Sequence, residues 1–178
     1  MTAIVGIAHK GKVLIGGDSV GGAGTFAAVR SDRKVWSTGN FVFGFTTSFR
    51  MGQLLRYSLS IPPLKVGQTV DEYMVVDFVD AARTCLTTGG YATQQDGAEQ
   101  GGSFLVGTSG RLFSIEDDYQ VAEWAVGYHA IGSGNTVALG ALHATEGQAP
   151  HDRIVKALEA AAEFSAFVRP PFVIETTI

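Results

Sequence analysis

The chain has 178 residues and a mass of 18.8 kDa, with 46% hydrophobic and 17% charged residues, which suits a packed core and excludes a disordered chain. Its net charge of -4 argues against a nucleic-acid or acidic-membrane partner. No run nears the roughly 18 to 20 apolar residues of a membrane-spanning helix.

Lys10 and Lys12 break the first apolar run too early for a signal peptide. The single cysteine, Cys85, excludes an internal disulfide framework and suits a reducing cytosol, so a cytoplasmic location is expected.

The first elements in chain order are two strand-like runs, Thr2 to Ala8 and Lys12 to Asp18, joined by a glycine-containing turn at His9 to Lys12. Ser19 to Arg30 is rich in glycine and alanine and reads as a loop or irregular strand. Lys34 to Trp36 and Phe41 to Thr46 read as strands around a Thr38-Gly39-Asn40 turn. Met51, Leu54, Leu55 and Leu59 recur at helical spacing behind Ser48, a candidate cap, and Pro62 and Pro63 end that helix.

A second helix is expected over Asp71 to Thr84, with Tyr73, Val76, Val79 and Ala82 near one face. The polar stretch Thr87 to Gly102 reads as a mobile loop. Strands follow at Ser103 to Thr108, Arg111 to Glu116, Val121 to Val126 and Tyr128 to Gly132. Ser133, an N-cap candidate, opens a helix to about Ala144. His151 to about Phe167 forms another helix, and Phe172 to Thr177 closes the chain as a strand. No repeat or linker interrupts this order, so residues 1–178 are expected to form one α+β domain. Paired helices covering stacked sheets would give a four-layer αββα sandwich.

The first hairpin carries the chemistry. If its turn centres near Lys10, residues whose numbers sum to about 20 face each other, which sets Thr2 opposite Asp18. The next strand brings Lys34, the only lysine between Lys12 and Lys65. A threonine hydroxyl needs a base to take its proton. A free α-amine, with an unperturbed pKa of roughly 7.7 to 8.0, can serve near neutral pH. Threonine with its own terminal amine is one of the known nucleophile–base pairs. The arrangement requires removal of Met1, and a small second residue permits it.

These residues resemble the proteasome β-type subunits, above all the bacterial HslV-type threonine peptidase. The likeness lies in Thr2-Ala3-Ile4-Val5-Gly6, in Gly11-Lys12-Val13-Leu14-Ile15-Gly16-Gly17-Asp18, in Lys34-Val35, in Gly44-Phe45 and in Ile131-Gly132-Ser133-Gly134. The resemblance implies an N-terminal nucleophile hydrolase fold and a role for each matching residue. Thr2 would supply the attacking hydroxyl and the proton-accepting amine. Lys34 would lower the amine's pKa, Asp18 would hold Lys34, and Ser133 would help shuttle the proton. Backbone N–H groups around Thr47 would form the oxyanion hole. It further implies homo-oligomeric rings that enclose the sites, unfolded polypeptide or peptide as substrate, and an ATPase unfoldase as a candidate partner, with no cofactor.

Two departures stand out. The family often has glycine near the oxyanion position, where this chain reads Phe45-Thr46-Thr47-Ser48-Phe49. HslV-type subunits bind a cation around the segment matching Glu163 to Arg169, and Val168 brings no side-chain oxygen there, so no metal ligand is assigned and a cation near Ser165 stays an open question. Two other readings stay open: an amidohydrolase with the same nucleophile but a non-peptide substrate, and an inactive structural subunit of the same fold. The four histidines, His9, His129, His143 and His151, show no paired ligand spacing.

Overall fold

The computed structural model describes residues 2–95 and 98–178. Met1, and with it the expected processing step, lies outside them, as does part of the loop expected over residues 87–102. The molecule mixes helix and strand. Its opening hairpin pairs β1 (Ile4–His9) with β2 (Lys12–Gly17) through Lys10 at φ 48° and Gly11 at φ 77°. Two left-handed residues in a two-residue turn match the twist of the strands they join.

This turn corrects the expected register. Pairing runs from His9↔Lys12 to Ile4↔Gly17, so facing residues sum to 21 and not 20, because the turn centres between Lys10 and Gly11. Ala3, not Thr2, faces Asp18: Asp18 N donates to Ala3 O at 3.3 Å.

β12 (Tyr128–Ile131) lies on the far side of β1, and β13 (Val173–Thr176) on the far side of β2, giving the order β12-β1-β2-β13. A second sheet runs β11-β10-β9-β6-β5. It contains β5 (Val35–Thr38), β6 (Phe41–Phe45), β9 (Phe104–Thr108), β10 (Arg111–Ile115) and β11 (Val121–Glu123). β11 is shorter than expected: the chain turns after it, with Gly127 N donating to Trp124 O. Two small ladders complete the set. β3 (Val20–Ala23) pairs with β4 (Phe26–Val29) inside the stretch read as a loop or irregular strand, and β7 (Thr93–Gln95) pairs with β8 (Ala98–Gln100).

The strands of both sheets are buried by alternation. Ile4, Val13 and Ile15 of the first sheet join Val35, Val42, Leu105 and Leu112 of the second in one apolar cluster. On β1 the neighbouring Val5 and Ile7 turn the other way, against Ala138, Leu142, Ile154, Ala157 and Leu158. Those five come from α4 (Asn135–Ala144) and α5 (Pro150–Phe164). Because β1 is buried on both faces, it reads as a continuous apolar run.

A third cluster sets Phe43, Phe45, Phe104 and Phe113 of the second sheet against Met51, Leu54, Phe78, Ala82 and Leu86. Its helices are α1 (Phe49–Tyr57), capped by Ser48 through Arg50 N, and a rod over residues 70–88. The rod starts as α2 (Val70–Glu72), winds as a π-helix through Tyr73–Phe78 and ends as α3 (Val79–Thr88). It outlasts the expected end at Thr84 by four residues, and Leu86 is fully buried in that extension. No helix among the described residues is long and apolar enough to cross a membrane.

Candidate active site

Asp18 follows the last residue of β2, and its carboxylate is filled by three donors. Oδ1 accepts from Ala3 N at 3.1 Å and from Lys34 Nζ at 2.8 Å, while Oδ2 accepts from Val20 N at 2.9 Å. Lys34 stands at the entrance to β5 and is one of the largest fully buried side chains in the protein. The side chains of Lys34 and Asp18 are 1% and 0% exposed, so this ion pair sits where water does not screen it. Burial pushes the Lys34 ammonium below the ordinary lysine range, the Asp18 carboxylate pulls it back up, and the nearby Arg30 charge lowers it further.

Lys34 Nζ also donates to Thr2 Oγ1, at 2.6 Å. On the other side of the threonine, its nitrogen donates to Ser133 Oγ at 3.2 Å. The structure thus gathers Thr2, Asp18, Lys34 and Ser133, which are up to 131 residues apart in sequence. The off-by-one register does not separate them, since Asp18 reaches Lys34 from beside Ala3 and Lys34 spans the remaining gap to Thr2.

Ser133 is not the N-cap expected of it: Gly134 holds that position, and α4 begins at Asn135. The backbone here serves Thr2 instead. Gly134 N donates to Thr2 O at 3.1 Å, and Gly132 passes so close that a Cβ on it would lie 2.3 Å from the same oxygen. Gly132 also has φ 93°, a conformation that suits glycine. Its part in the site escaped the sequence reading, although the Ile131-Gly132-Ser133-Gly134 motif contained it.

Thr47 forms the apex of a tight turn, with Ser48 N donating to Thr46 O at 2.7 Å. Its φ is 64°, a left-handed conformation that a β-branched residue rarely adopts. Thr47 Oγ1 accepts from Ser103 N at 3.2 Å, which ties the turn to the start of β9. The geometry that glycine usually supplies is therefore present here on a threonine.

Beside this turn lies a cavity of about 330 Å³ lined by Thr46, Thr47, Ser103, Glu116, His129 and Gly132, among others. His129 stacks on Trp124 with ring centres 4.1 Å apart, and burial lowers its pKa. On the Lys34 side, the Phe49 ring centre is 5.8 Å from Nζ, and the Arg30 guanidinium lies 3.8 Å from the same ring. Among the described residues no group of three His, Cys, Asp or Glu side chains could hold a metal ion. Cys85 stands apart from the site, with burial raising its pKa and Sγ 3.4 Å from Leu54 O.

No protein-family model matches the sequence, and no curated protein matches it either. Solved structures do. The BPH of Thiobacillus denitrificans, in a complex with epoxomicin, superposes with a TM-score of 0.80 at 21% identity, covering 98% of this chain and 97% of that one. The eukaryotic HslV of Trypanosoma brucei gives 0.68 at 20% identity, with 98% of each chain covered. The Anbu (Gly-1) mutant from Hyphomicrobium sp. strain MC1 gives 0.70 at 16%, covering 98% of this chain and 80% of that one. The resemblance to HslV-type proteins read from the sequence is thus met at the level of the fold, along nearly the whole chain.

Proposed function

We propose that this chain is a threonine peptidase that cleaves peptide bonds of unfolded polypeptide with Thr2 as nucleophile, once Met1 has been removed. One observation carries the reading: a buried lysine, ion-paired to a buried aspartate, is hydrogen-bonded to the Thr2 hydroxyl. Burying such a pair is costly, and ionisable groups held in this way cluster at functional sites.

In this reading Thr2 Oγ1 attacks the scissile carbonyl carbon and the freed α-amine takes its proton. The Lys34 charge keeps that amine neutral and ready, and Asp18 holds Lys34 in place. The tetrahedral oxyanion is received by the backbone N–H of Thr47. The amine then passes its proton to the leaving nitrogen, with Ser133 as relay, which leaves an ester on Thr2. Water enters by the same route in reverse, releases the acid and restores the hydroxyl.

The finer architecture belongs to the same proposal. The three apolar clusters support a four-layer αββα stack. The exposed Val75 and Val76 on the π-wound segment and Tyr57 at the end of α1 support a ring assembled through these helices. Enclosed sites would admit only unfolded chains, delivered by an ATPase unfoldase in the cytoplasm. The neighbour bound to epoxomicin supports a ligand-accessible site in this fold.

The test is hydrolysis of a fluorogenic peptide panel by the wild type and by Thr2→Ala, with light scattering on both. Peptide cleavage that Thr2→Ala abolishes, from an assembly several times 18.8 kDa, is the expected result. A strict monomer that cleaves only small non-peptide amides would replace the peptidase with an amidohydrolase.

A further inference from the structure

We infer that Arg169 is a tethered cation, whose guanidinium fills a cage of backbone carbonyls at the end of α5 and thereby positions the loop that braces the candidate active site. Its Nη1 donates to Ala162 O at 2.7 Å, to Ser165 O at 2.9 Å and to Val168 O at 2.7 Å. A terminal guanidinium nitrogen carries two hydrogens, yet three carbonyls converge on it. Acceptors in excess of hydrogens mark a site organised by charge, which another cation of similar size can fill.

The cage has a physical origin. α5 ends at Phe164, and the carbonyls of a helix's last turn lack partners within the helix. Those carbonyls form the negative end of the helix dipole, where a cation is favoured. Ala161 O is taken by Ser165 N, whereas Ala162 O is left to the guanidinium.

What the clamp holds is close to the candidate site on two sides. Arg169 O accepts from Ser19 N at 3.2 Å, one residue beyond Asp18. Val168, fully buried, packs so near Gly134 that a Cβ there would lie 3.2 Å from Val168 Cγ2, one residue beyond Ser133. The loop thus presses on the neighbours of Asp18, which holds Lys34, and of Ser133, which bonds the Thr2 nitrogen. Arg169 touches none of the reacting groups, so it acts as a positioning residue. Arg169 is an exposed residue, so a small ion can reach the cage once the side chain is cut back.

The activity arm rests on the proposed peptidase function; the stability arm does not. Arg169→Ala is compared with wild type for peptide hydrolysis and Tm, each with low-millimolar guanidinium chloride, ammonium chloride or tetramethylammonium chloride at matched ionic strength. The expected result is a loss of about tenfold in kcat with KM little changed, together with a lowered Tm. Guanidinium or ammonium should restore both, and tetramethylammonium, which cannot donate a hydrogen bond, should not. Wild-type behaviour of Arg169→Ala overturns the inference, as does a loss that no cation restores or that all three salts restore equally.

Should Arg169→Ala not fold, Arg169→Lys is set against Arg169→Met, which keeps an aliphatic stem without charge. A Tm near wild type for the lysine variant alone supports the clamp, and equal Tm values for the two overturn it. A wild type without peptidase activity would defeat the proposed function, while the Tm responses would still decide the cage.

Discussion

Lys34 Nζ lies 2.6 Å from Thr2 Oγ1 on a side chain that is 1% exposed, so the hydroxyl at the start of the chain is held by a cation that bulk water does not reach. An exposed lysine would be worth little to a neighbouring hydroxyl, because solvent would screen it. The interest of the pair is that its cost in stability and its proposed benefit in reactivity can be measured apart.

Stability comes first. Lys34→Met leaves the Asp18 carboxylate buried with only the Ala3 and Val20 N–H donors, and removal of one member of a buried pair costs about 3–5 kcal/mol. The double variant Asp18→Asn with Lys34→Met should lose less than the sum of the two single changes, as read by urea denaturation. Additive losses would mean that the two residues are not coupled. In the peptidase assay Asp18→Asn, which keeps the volume, should slow turnover about 100-fold, or roughly 2.7 kcal/mol of transition-state stabilisation.

The other side of Thr2 separates position from hydrogen bonding. Gly132→Ala sets a methyl 2.3 Å from Thr2 O at a left-handed φ, so the backbone of both segments must move. It should cost more than about 1 kcal/mol and abolish labelling of Thr2 by an active-site probe. Ser133→Ala removes one acceptor of Thr2 N and should cost only about 0.5–1.5 kcal/mol, with turnover down about tenfold. Chemical denaturation beside probe labelling distinguishes the two.

Thr47 carries a strained backbone and a compensating bond. A non-glycine residue in this conformation costs on the order of 1–3 kcal/mol. Thr47→Gly should therefore offset the loss of the Ser103 N bond, stay within about 1 kcal/mol of wild type and keep its peptidase activity. Thr47→Val keeps the strain and loses the bond, so it should be the less stable of the two in a thermal melt.

His129 gives a pH dependence with a definite sign. Burial lowers its folded-state pKa, so the unfolded chain binds the proton more readily. Its contribution is fully present above the ordinary histidine pKa of about 6.5 and is lost as pH falls through the lower folded value. Melts at a series of pH values should show wild type losing Tm below neutrality more steeply than His129→Asn. Parallel curves would show that this ring does not set the acid response.

Much of this was legible in the sequence, for identifiable reasons. The opening hairpin announced itself through a glycine turn between two apolar runs, and the capped α1 through helical spacing behind Ser48. The register was missed by one because a two-residue turn and a turn centred on one residue look alike in sequence. β4 was only half seen, since all four of its residues are exposed and no alternation marks it. Lys34 read alone is a surface lysine. Its burial emerges only when three segments 16 and 32 residues apart close around it. Ser133 looked like a helix cap because the local pattern favours one, whereas the tertiary contact with Thr2 takes its hydroxyl. Nothing in the local pattern of Arg169 shows its guanidinium folding back onto three carbonyls.

The central claim is that Thr2 is the nucleophile and its own amine the base. Intact-mass spectrometry of the purified protein, before and after treatment with a peptide boronate or β-lactone, followed by mapping of the adduct, tests it most directly. The account predicts a mass lacking Met1 and a single β-lactone adduct on Thr2 that is lost in Thr2→Ala. A homogeneous, active protein that retains Met1, or a Thr2→Ala variant with full activity towards every substrate of the wild type, would contradict it.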